Sequence, residues 1–304
     1  MAAKLDLEVY NSLLTIVVPV HNMAGRLTNL SKWLDDAHAH NVKVILVHDK
    51  SGDSTDTELL QLLEMKNSRN FSLIQADVQS PGLARNLGLE IIDTPWFSFG
   101  DSDDVVYISA ILNLLNETVL SNSEIGIGSY ISRDLRTGEE RVIRPPISNK
   151  DALALHLAKK MGLWRFVLST RSFGDIRFTN HKMGEDYLYT SQVIDRTNHI
   201  FTSSRVVYKY FYGGDLNLTS NQSVMSEMIG IIKSMKKTKP EVNIAVAFRV
   251  FSIQKLTLSV LKNLNAREKI IEKIYLIINL ISHPIYLVKL FISLKIKRLG
   301  SING

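Results

Sequence analysis

The sequence of 304 residues contains no cysteine. Disulfides, a thiolate nucleophile and a cysteine-ligated zinc site are therefore excluded. The amino-terminal stretch MAAKLDLEVY also lacks the apolar run of a secretory signal peptide, so we expect no such signal. Both features agree with a reducing compartment and lead us to expect a cytoplasmic protein.

Several binding signatures are missing as well. No GxxxxGK(S/T) sequence occurs, which excludes a P-loop, and the turn PVHNMAGRL has one glycine where the dinucleotide fingerprint GxGxxG needs three. HExxH is absent, and DSDDVV lacks the glycine and the distal glutamate of an EF-hand loop. We also find no internal repeat, low-complexity segment or long Gly/Ser linker, so a repeat architecture is not expected.

Positive charge is unevenly distributed along the chain. Residues 231–304 contain 14 Lys/Arg and 3 Asp/Glu, a balance of +11. Because the whole chain carries +6, the first 230 residues carry −5. A mildly acidic body with a strongly basic end predicts an anionic partner for that end, either a membrane or a nucleic acid.

The first third of the sequence alternates between strand and helix patterns. Runs rich in Leu, Ile and Val predict buried strands, and the stretches between them have helical spacing of apolar residues. Such βαβ units predict an α/β fold with a mainly parallel sheet flanked by helices. The predicted strands are 13–20, 42–49, 71–77 and 95–101, and the predicted helices are 23–39, 54–66, 80–92 and 105–120.

The pattern changes after residue 124. A hairpin is predicted over 125–145, with Thr137 and Gly138 near its turn. Further on we expect helices at 151–160 and 184–197, strands at 162–170 and 199–212, and only helices from about Val224 onward. We therefore divide the chain into a catalytic domain, residues 1–220, and a basic helical extension, residues 221–304.

Unusual polar residues follow three of the predicted strands. In parallel sheets, ligands bind beyond the carboxyl ends of the strands. We therefore expect the three loops to converge on one binding edge. They contain His21 and Asn22, residues 48–51, and residues 101–104.

The third loop holds Asp101, Asp103 and Asp104 directly after the aromatic run WFSFG. Clustered carboxylates at a strand end are able to hold a hard divalent cation, which commonly uses one or two protein carboxylates together with substrate phosphates. The alternative is a solvated acidic turn in which Asp103 or Asp104 caps the next helix. The cluster alone favours neither.

Five motifs in sequence order resemble those of family 2 of the inverting glycosyltransferases, which have the nucleotide-diphospho-sugar transferase (GT-A) fold. The resemblance covers roughly residues 13–215, and the ordered set is far more specific than any one motif. The matching segments are TIVVPVHN, VHDKSGDSTDT, PGLARNLGL, FSFGDSDD and MGEDYLYTSQV.

The resemblance implies a role for individual residues. It implies that Asp186 is the catalytic base and that Asp103, together with Asp101, binds a divalent cation, Mn²⁺ or Mg²⁺. It also implies a nucleotide-sugar site in which Asp49 meets the base edge and Asp101 approaches the ribose. The residues expected at the nucleotide sugar are Pro19, His21, Asn22, Asp49, Arg85, Asp101 and Ser102.

The sequence departs from the family pattern at three positions. His48 and Lys50 replace the usual acid and glycine, and His21 replaces the usual tyrosine, which puts the nucleobase preference in question. On the acceptor side we consider Glu185 and Trp164, although tryptophan in this context is more often a core residue.

Each role has a structural alternative. Glu185 and Asp186 are also typical first-turn acids stabilised by the helix dipole. Arg85 is alternatively a surface residue of a helix. Tyr208, which begins a set of alternating tyrosines, is expected on one face of a strand, and the less favoured alternative is that these tyrosines line the acceptor side.

The basic end of the chain contains a nearly apolar stretch at 274–288. A spanning helix needs about 20 apolar residues, so polar interruptions favour a helix lying on an anionic membrane surface. Lys236, Lys237 and Lys239 would add affinity for such a surface. The alternative is a helix packed on the catalytic domain. We expect no nucleic-acid partner, because no stacking module or helix-turn-helix pattern accompanies the charge.

The sequence thus predicts an inverting, metal-dependent glycosyltransferase. It would move a hexose or N-acetylhexosamine from a nucleotide sugar, with UDP expected, to a glycan or lipid-linked acceptor. By analogy with the family, the setting is surface-polysaccharide synthesis at the inner face of the cell membrane. Two alternatives are a sugar-phosphate nucleotidyltransferase and a non-catalytic scaffold of a membrane glycan-assembly complex.

Overall fold

The computed structural model describes residues 13–147, 149–181, 184–214, 223–237, 240 and 243–260. Within them, a single mixed sheet of nine strands is flanked by helices on both faces. The strands are β1 Leu14–Val20, β2 Lys43–Asp49, β3 Phe71–Ala76, β4 Trp96–Phe99, β5 Val105–Val106, β6 Ile125–Asp134, β7 Glu140–Ile143, β8 Phe166–Ser169 and β9 Ile200–Tyr212.

The α-helices follow the predicted order, except for one short helix, Thr170–Phe173, that was not predicted. A one-turn 3-10 helix, Leu163–Arg165, precedes β8. The α-helices are α1 Thr28–Ala39, α2 Thr55–Lys66, α3 Pro81–Glu90, α4 Ile108–Leu120, α5 Lys150–Lys159, α6 Thr170–Phe173, α7 Glu185–Asp195, α8 Ser223–Lys237 and α9 Asn243–Val260.

The sheet order is β3-β2-β1-β4-β8-β6-β9-β5, with β7 paired to β6. The first four strands are parallel to one another, as the βαβ pattern predicted. Antiparallel pairing begins at β8, which lies between β4 and β6. The carboxyl ends of β1, β2 and β4 therefore share one edge of the sheet.

Two hydrophobic clusters cover the two faces of the sheet. Alternate residues of β1 point to opposite sides, because successive side chains of a strand alternate between faces. Ile16 and Val18 join the cluster beneath α1, α2 and α4. Val17 joins the cluster that contains residues of α3, α5 and α7, and also Phe248 of α9.

The predicted helix at 105–120 is wrong at its beginning. Val105 and Val106 form β5, pairing antiparallel with Lys209 and Tyr208 of β9, and the helix begins at Ile108. Two β-branched residues at the start of an apolar run favour an extended chain when a strand edge is available.

Other boundaries also differ from the predictions. Residues 23–27 form a loop before α1, and the predicted strand at 162–170 is a 3-10 turn followed by the shorter β8. The hairpin of β6 and β7 is confirmed, and Gly138 lies in its turn with φ +73°.

The stretch at 274–288 and Lys239 lie outside the described residues. In the described part of the chain, no helix combines the length and the apolar run needed to cross a bilayer.

Candidate active site

The loops after β1 and β2 are joined by hydrogen bonds. The His21 ring Nδ1 lies 3.0 Å from the carbonyl oxygen of Asp49. The backbone N–H of Asn22, a residue with φ +49°, donates to Ser51 Oγ at 2.9 Å, and its side-chain oxygen accepts from the N–H of Gly52 at 2.9 Å. The predicted convergence of these two loops is therefore confirmed.

The acidic loop is held in place by β9. Asp104 is buried, and its carboxylate accepts from the Phe211 N–H at 2.9 Å and from the Tyr208 hydroxyl at 3.0 Å. The same Tyr208 oxygen accepts from the N–H of Asp101 at 2.9 Å. Burial, and then the charges of Asp103 and Asp101, raise the pKa of Asp104 well above its usual value. Asp104 thus has a structural role in shaping the loop.

Asp103 extends toward solvent at the same edge. Asn29 of α1 donates to its backbone carbonyl at 3.1 Å, which brings the third loop to the first two. Neighbouring protein atoms displace part of the water around its carboxylate, and this partial desolvation, followed by repulsion from Asp101, raises its pKa to about 6. The capping alternative is wrong, because α4 begins after Tyr107 and no side chain caps it.

Arg85 connects the acidic loop to the start of α7. Its Nη2 lies 2.7 Å from Asp101 Oδ1 and its Nη1 lies 3.1 Å from Glu185 Oε1. Arg85 is 9 % exposed and Glu185 is 8 % exposed, so the surface alternative for Arg85 is wrong. Gly82 permits this approach: a Cβ there would lie 3.1 Å from Glu185 Cγ and 3.0 Å from Phe178 Cβ.

Asp186 follows Glu185 in the first turn of α7. Burial, and then the charge of Glu185, raise its pKa to about 7, although Arg85 and Lys255 act in the opposite direction. Its Oδ1 accepts from the N–H of Tyr187 at 2.9 Å. A carboxylate with this pKa is suited to accept a proton near neutral pH.

Asp49 and His48 lie at the end of β2 and are both buried. The two carboxylate oxygens of Asp49 accept from the backbone N–H groups of Val78, at 2.7 Å, and Ser80, at 3.1 Å. Asp49 therefore holds the loop before α3, and its contact with a nucleobase remains a prediction. His48 lies 2.6 Å from Gln75 Oε1, so this departure from the family pattern is built into a hydrogen-bonded pair.

Pro19 and Ser102 flank the same edge. Pro19 is a half-buried residue of β1, and Ser102 is buried within the acidic loop. Trp164 lies in an aromatic stack, 4.1 Å from Tyr208 and 5.5 Å from Tyr210 between ring centroids, and is 7 % exposed. Most of its indole is therefore in the core, as the structural alternative expected.

The sequence did not predict the active-site role of two residues that contact the candidate site residues or their neighbours. Tyr208 was expected on one face of a strand, with the acceptor side as the alternative, yet its hydroxyl contacts two members of the acidic loop. Lys255 of α9 lies close enough to Asp186 to influence its charge. The alternating tyrosines of β9 were a usable signal for the first, and no local pattern indicates the second.

Asp101 and Asp103 are the carboxylates available for a cation. Among the described residues, no group of three or more His, Cys, Asp or Glu is arranged to hold a metal ion. A pair of carboxylates that repel one another still suits a hard cation whose other ligands are waters and substrate phosphates. The pKa of Asp103 is raised first by loss of water and then by repulsion from Asp101, and such a cation would compensate this repulsion.

Comparison with known proteins identifies the class. The model of glycosyl transferase family 2 matches residues 15–172, which include the loops after β1, β2 and β4. The chain therefore belongs to glycosyl transferase family 2 and is a glycosyltransferase. This assignment argues against the nucleotidyltransferase alternative.

Individual relatives agree with the class. Glycosyltransferase GlyG of Streptococcus pneumoniae serotype 4 is 22% identical over 219 residues, which are 64% of this chain and 71% of the relative.

Two solved structures show the same GT-A fold. S. aureus TarS 1-349 in complex with UDP-GlcNAc superposes with a TM-score of 0.62 at 18% identity, covering 84% of this chain and 77% of that one. The mannosyltransferase PcManGT from Pyrobaculum calidifontis, in complex with GDP-Man and Mn²⁺, gives a TM-score of 0.53 at 11% identity, covering 92% of this chain and 86% of that one. The predicted fold is thus confirmed.

Proposed function

We propose that this glycosyltransferase moves a sugar, with inversion, from a nucleoside diphosphate sugar to a hydroxyl of a glycan or lipid-linked acceptor. Asp186 removes the proton of the acceptor hydroxyl. The acceptor oxygen forms a bond to the anomeric carbon, and the bond from that carbon to the diphosphate breaks. The nucleoside diphosphate leaves with the electron pair.

One observation carries this proposal: a single arginine joins the acidic loop to the helix that begins with Glu185 and Asp186. Arg85 contacts Asp101 at one side and Glu185 at the other. In-line displacement requires a base and a leaving group on opposite faces of the sugar. The two acidic sites come from separate chain segments, which suits that requirement.

A divalent cation belongs to the same proposal. Asp101 and Asp103 would hold it, because their oxygens are the hard ligands that Mg²⁺ and Mn²⁺ prefer. When bound, the cation would stabilise the negative charge that develops on the departing diphosphate. The Mn²⁺ in the mannosyltransferase complex supports this choice of cation.

UDP is the nucleotide that we propose for the donor, with a hexose or N-acetylhexosamine as the sugar. The UDP-GlcNAc complex of TarS supports it, whereas GDP-Man in the second structure leaves a guanine donor as the alternative to test. Pro19, His21, Asn22, Asp49 and Ser102 would line the nucleotide-sugar site. Surface-polysaccharide synthesis at the inner membrane face remains the proposed setting.

The proposal is tested by a thermal-shift panel of UDP- and GDP-sugars with and without Mn²⁺. We expect one nucleotide class to stabilise the protein, and more strongly with the cation, because binding to the folded state raises stability. Asp103→Ala should remove the metal-dependent part of the shift while the fold is retained. Asp35→Ala, at an exposed acid of α1, is the control. Unchanged metal dependence in Asp103→Ala would contradict the ligand assignment.

A further inference from the structure

Helix α9 packs on the helices that border the candidate active site. Phe248 is buried and its ring lies 6.3 Å from that of Tyr187, with an interplanar angle of 23°. It shares one hydrophobic cluster with Leu153 and Leu157 of α5 and with Leu188 of α7. The position of α9 is therefore set by core packing against α7, whose first turn contains the candidate base Asp186.

This packing brings Lys255 to the first turn of α7. Its Nζ donates to the Tyr187 hydroxyl at 2.6 Å and to the carbonyl of Lys159 at 3.2 Å. The Tyr187 hydroxyl in turn donates to the carbonyl of Ala158 at 3.2 Å. One ammonium thus connects α9 to the end of α5 and to the residue that follows Asp186.

The charged groups around Asp186 come from three helices. Glu185 of α7 disfavours its ionised form, whereas Arg85 of α3 and Lys255 of α9 favour it. Lys160, at the end of α5, faces Lys255 and repels it. Arg85 also pairs with Asp101 and Glu185, whereas Lys255 acts on Asp186 from a different helix.

We propose that Lys255 is a positioning residue for Asp186, supplied by a helix outside the region that matches the family model. It acts in two ways. Its hydrogen bonds hold Tyr187 and the first turn of α7 against α5, and its ammonium favours the carboxylate that accepts the proton. The proposal rests on the proposed role of Asp186 as general base, and it extends the active site to the carboxyl-terminal part of the chain.

The direct test is a titration of Asp186 by NMR in the full chain. Aspartate labelled with ¹³C at the side-chain carboxyl would be incorporated, and Asp186→Asn would identify the resonance. Lys255→Met should raise the pKa of Asp186 by about half a unit or more, since an opposite charge has been removed. Lys255→Arg should retain the wild-type value. Lys233→Met, at an exposed lysine of α8, is the matched control and should change nothing.

A second variant separates charge from hydrogen bonding. Lys255→Gln keeps a hydrogen-bond donor for the Tyr187 hydroxyl but removes the charge. It should therefore raise the pKa of Asp186 as Lys255→Met does. If Lys255→Met fails to fold, Lys255→Gln should still fold and allows the same measurement. A pKa of Asp186 that stays at the wild-type value in a folded Lys255→Met or Lys255→Gln protein would overturn the proposal.

The test does not depend on the identity of the substrate. The shift in the pKa of Asp186 tests the role of Lys255. The sugar-transfer rate of Asp186→Asn tests whether Asp186 is the base. Failure of the proposed base role is therefore distinguishable from failure of the lysine proposal. With an active donor and acceptor, the rate of Lys255→Met should also reach half its maximum at a higher pH than the wild type, and Lys255→Arg should restore the profile.

Discussion

Asp186 has surroundings that favour its neutral form in the free protein. Burial and the neighbouring Glu185 raise its pKa to about 7, whereas an ordinary aspartate has a pKa of ~3.9. A base with a pKa near the working pH combines a useful fraction of the ionised form with a strong affinity for the proton. Its environment is thus what distinguishes Asp186 from an ordinary acid in a first helical turn.

We expect Asp186→Asn to lower sugar transfer by at least ~10²-fold, because an amide does not accept the proton. Donor binding should be retained, and wild-type transfer should rise with pH through about 7 as the carboxylate forms. Transfer rates measured across this pH range, with donor binding as the control, check both points. A variant with near wild-type transfer would show that the base lies elsewhere.

The same substitution should alter stability in a pH-dependent way. A raised pKa means that the folded state binds the proton more tightly than the unfolded state. The stability contributed by this tighter proton binding is complete below the pKa of ~3.9 in the unfolded state, and it is lost as pH rises through the folded-state pKa of about 7. Asp186→Asn should therefore raise Tm more at pH ~8 than at pH ~5, as thermal melts would show. Equal effects at both pH values would contradict the raised pKa.

Arg85 should be critical for stability because its guanidinium pairs with Glu185, a buried acid. Arg85→Gln leaves Glu185 buried without its cation, and breaking a buried pair in this way costs about 3–5 kcal/mol. The double variant with Glu185→Gln should recover part of the loss, because residue 185 is then no longer a buried charge without its cation. Urea unfolding of the single and double variants measures the coupling energy between Arg85 and Glu185. If the losses in free energy of unfolding simply add, the two residues are not coupled.

Single residues were predicted unevenly from the sequence. The motif acids were found because each lies at the end of a recognisable strand or the start of a helix. Their partners were not, because contacts such as Tyr208 with Asp104 or Lys255 with Tyr187 join residues 104 and 68 positions apart. Periodicity reports on the local chain and contains no information on such distant pairs.

At the scale of elements, the first βαβ units were predictable because strand and helix periods are strong there. The close packing of these helices against the strands was harder to predict from the sequence. Gly88 of α3 lies against β1, and a Cβ at this position would be 2.3 Å from Val17 Cγ1. The helix therefore approaches the strand more closely than any side chain at this position would allow.

We expect Gly88→Ala to lower the free energy of unfolding by about 1–3 kcal/mol, because overpacking a tight core forces a shift of helix or strand. Gly52→Ala, in a loop with open space around it, is the matched control and should have little effect. Val17→Ala combined with Gly88→Ala should cost less than the sum of the single changes. Chemical denaturation of the four proteins tests this, and a neutral Gly88→Ala would show that the contact relaxes freely.

At the scale of the molecule, the division at residue 220 remains a proposal, but the core does not stop there. Ile231 and Met235 of α8, and Phe248 and Phe251 of α9, are buried in the same cluster as β4 and α7. Helices α8 and α9 thus pack on the catalytic domain, whereas the packing alternative for the stretch at 274–288 concerns residues outside the described part of the chain. The division was drawn where charge and composition change, and neither feature reports on which apolar faces meet.

Two truncations separate the packed helices from the rest of the basic end. Ending the chain after residue 222 removes α8 and α9 and exposes the apolar cluster, so cooperative unfolding should be lost. Ending it after Asn265 keeps every described residue and should retain both the fold and donor binding. Thermal melts of the two proteins distinguish these outcomes. A stable, cooperative protein ending at residue 222 would contradict the shared core.

The membrane proposal concerns the basic end as a whole. Each lysine near an anionic leaflet adds about 1 kcal/mol of affinity, and salt screens this attraction. The full chain should therefore co-sediment with anionic vesicles better than with neutral ones, and less at high salt. The protein ending after Asn265 should lose this binding. Failure of the full chain to sediment with anionic vesicles at low salt would exclude a membrane-surface role.

The shared guanidinium of Arg85 has a thermodynamic consequence. Asp101 and Glu185 contact the same cation, and the charge of Arg85 also acts on Asp186. We therefore expect a change of charge at Asp101 to alter the proton affinity of Asp186 through Arg85. Linkage is reciprocal, so the factor by which a cation in the acidic loop changes that proton affinity equals the factor by which the proton changes the affinity for the cation. Under the proposed roles, a cation bound at Asp101 would thus change the fraction of Asp186 that is ionised.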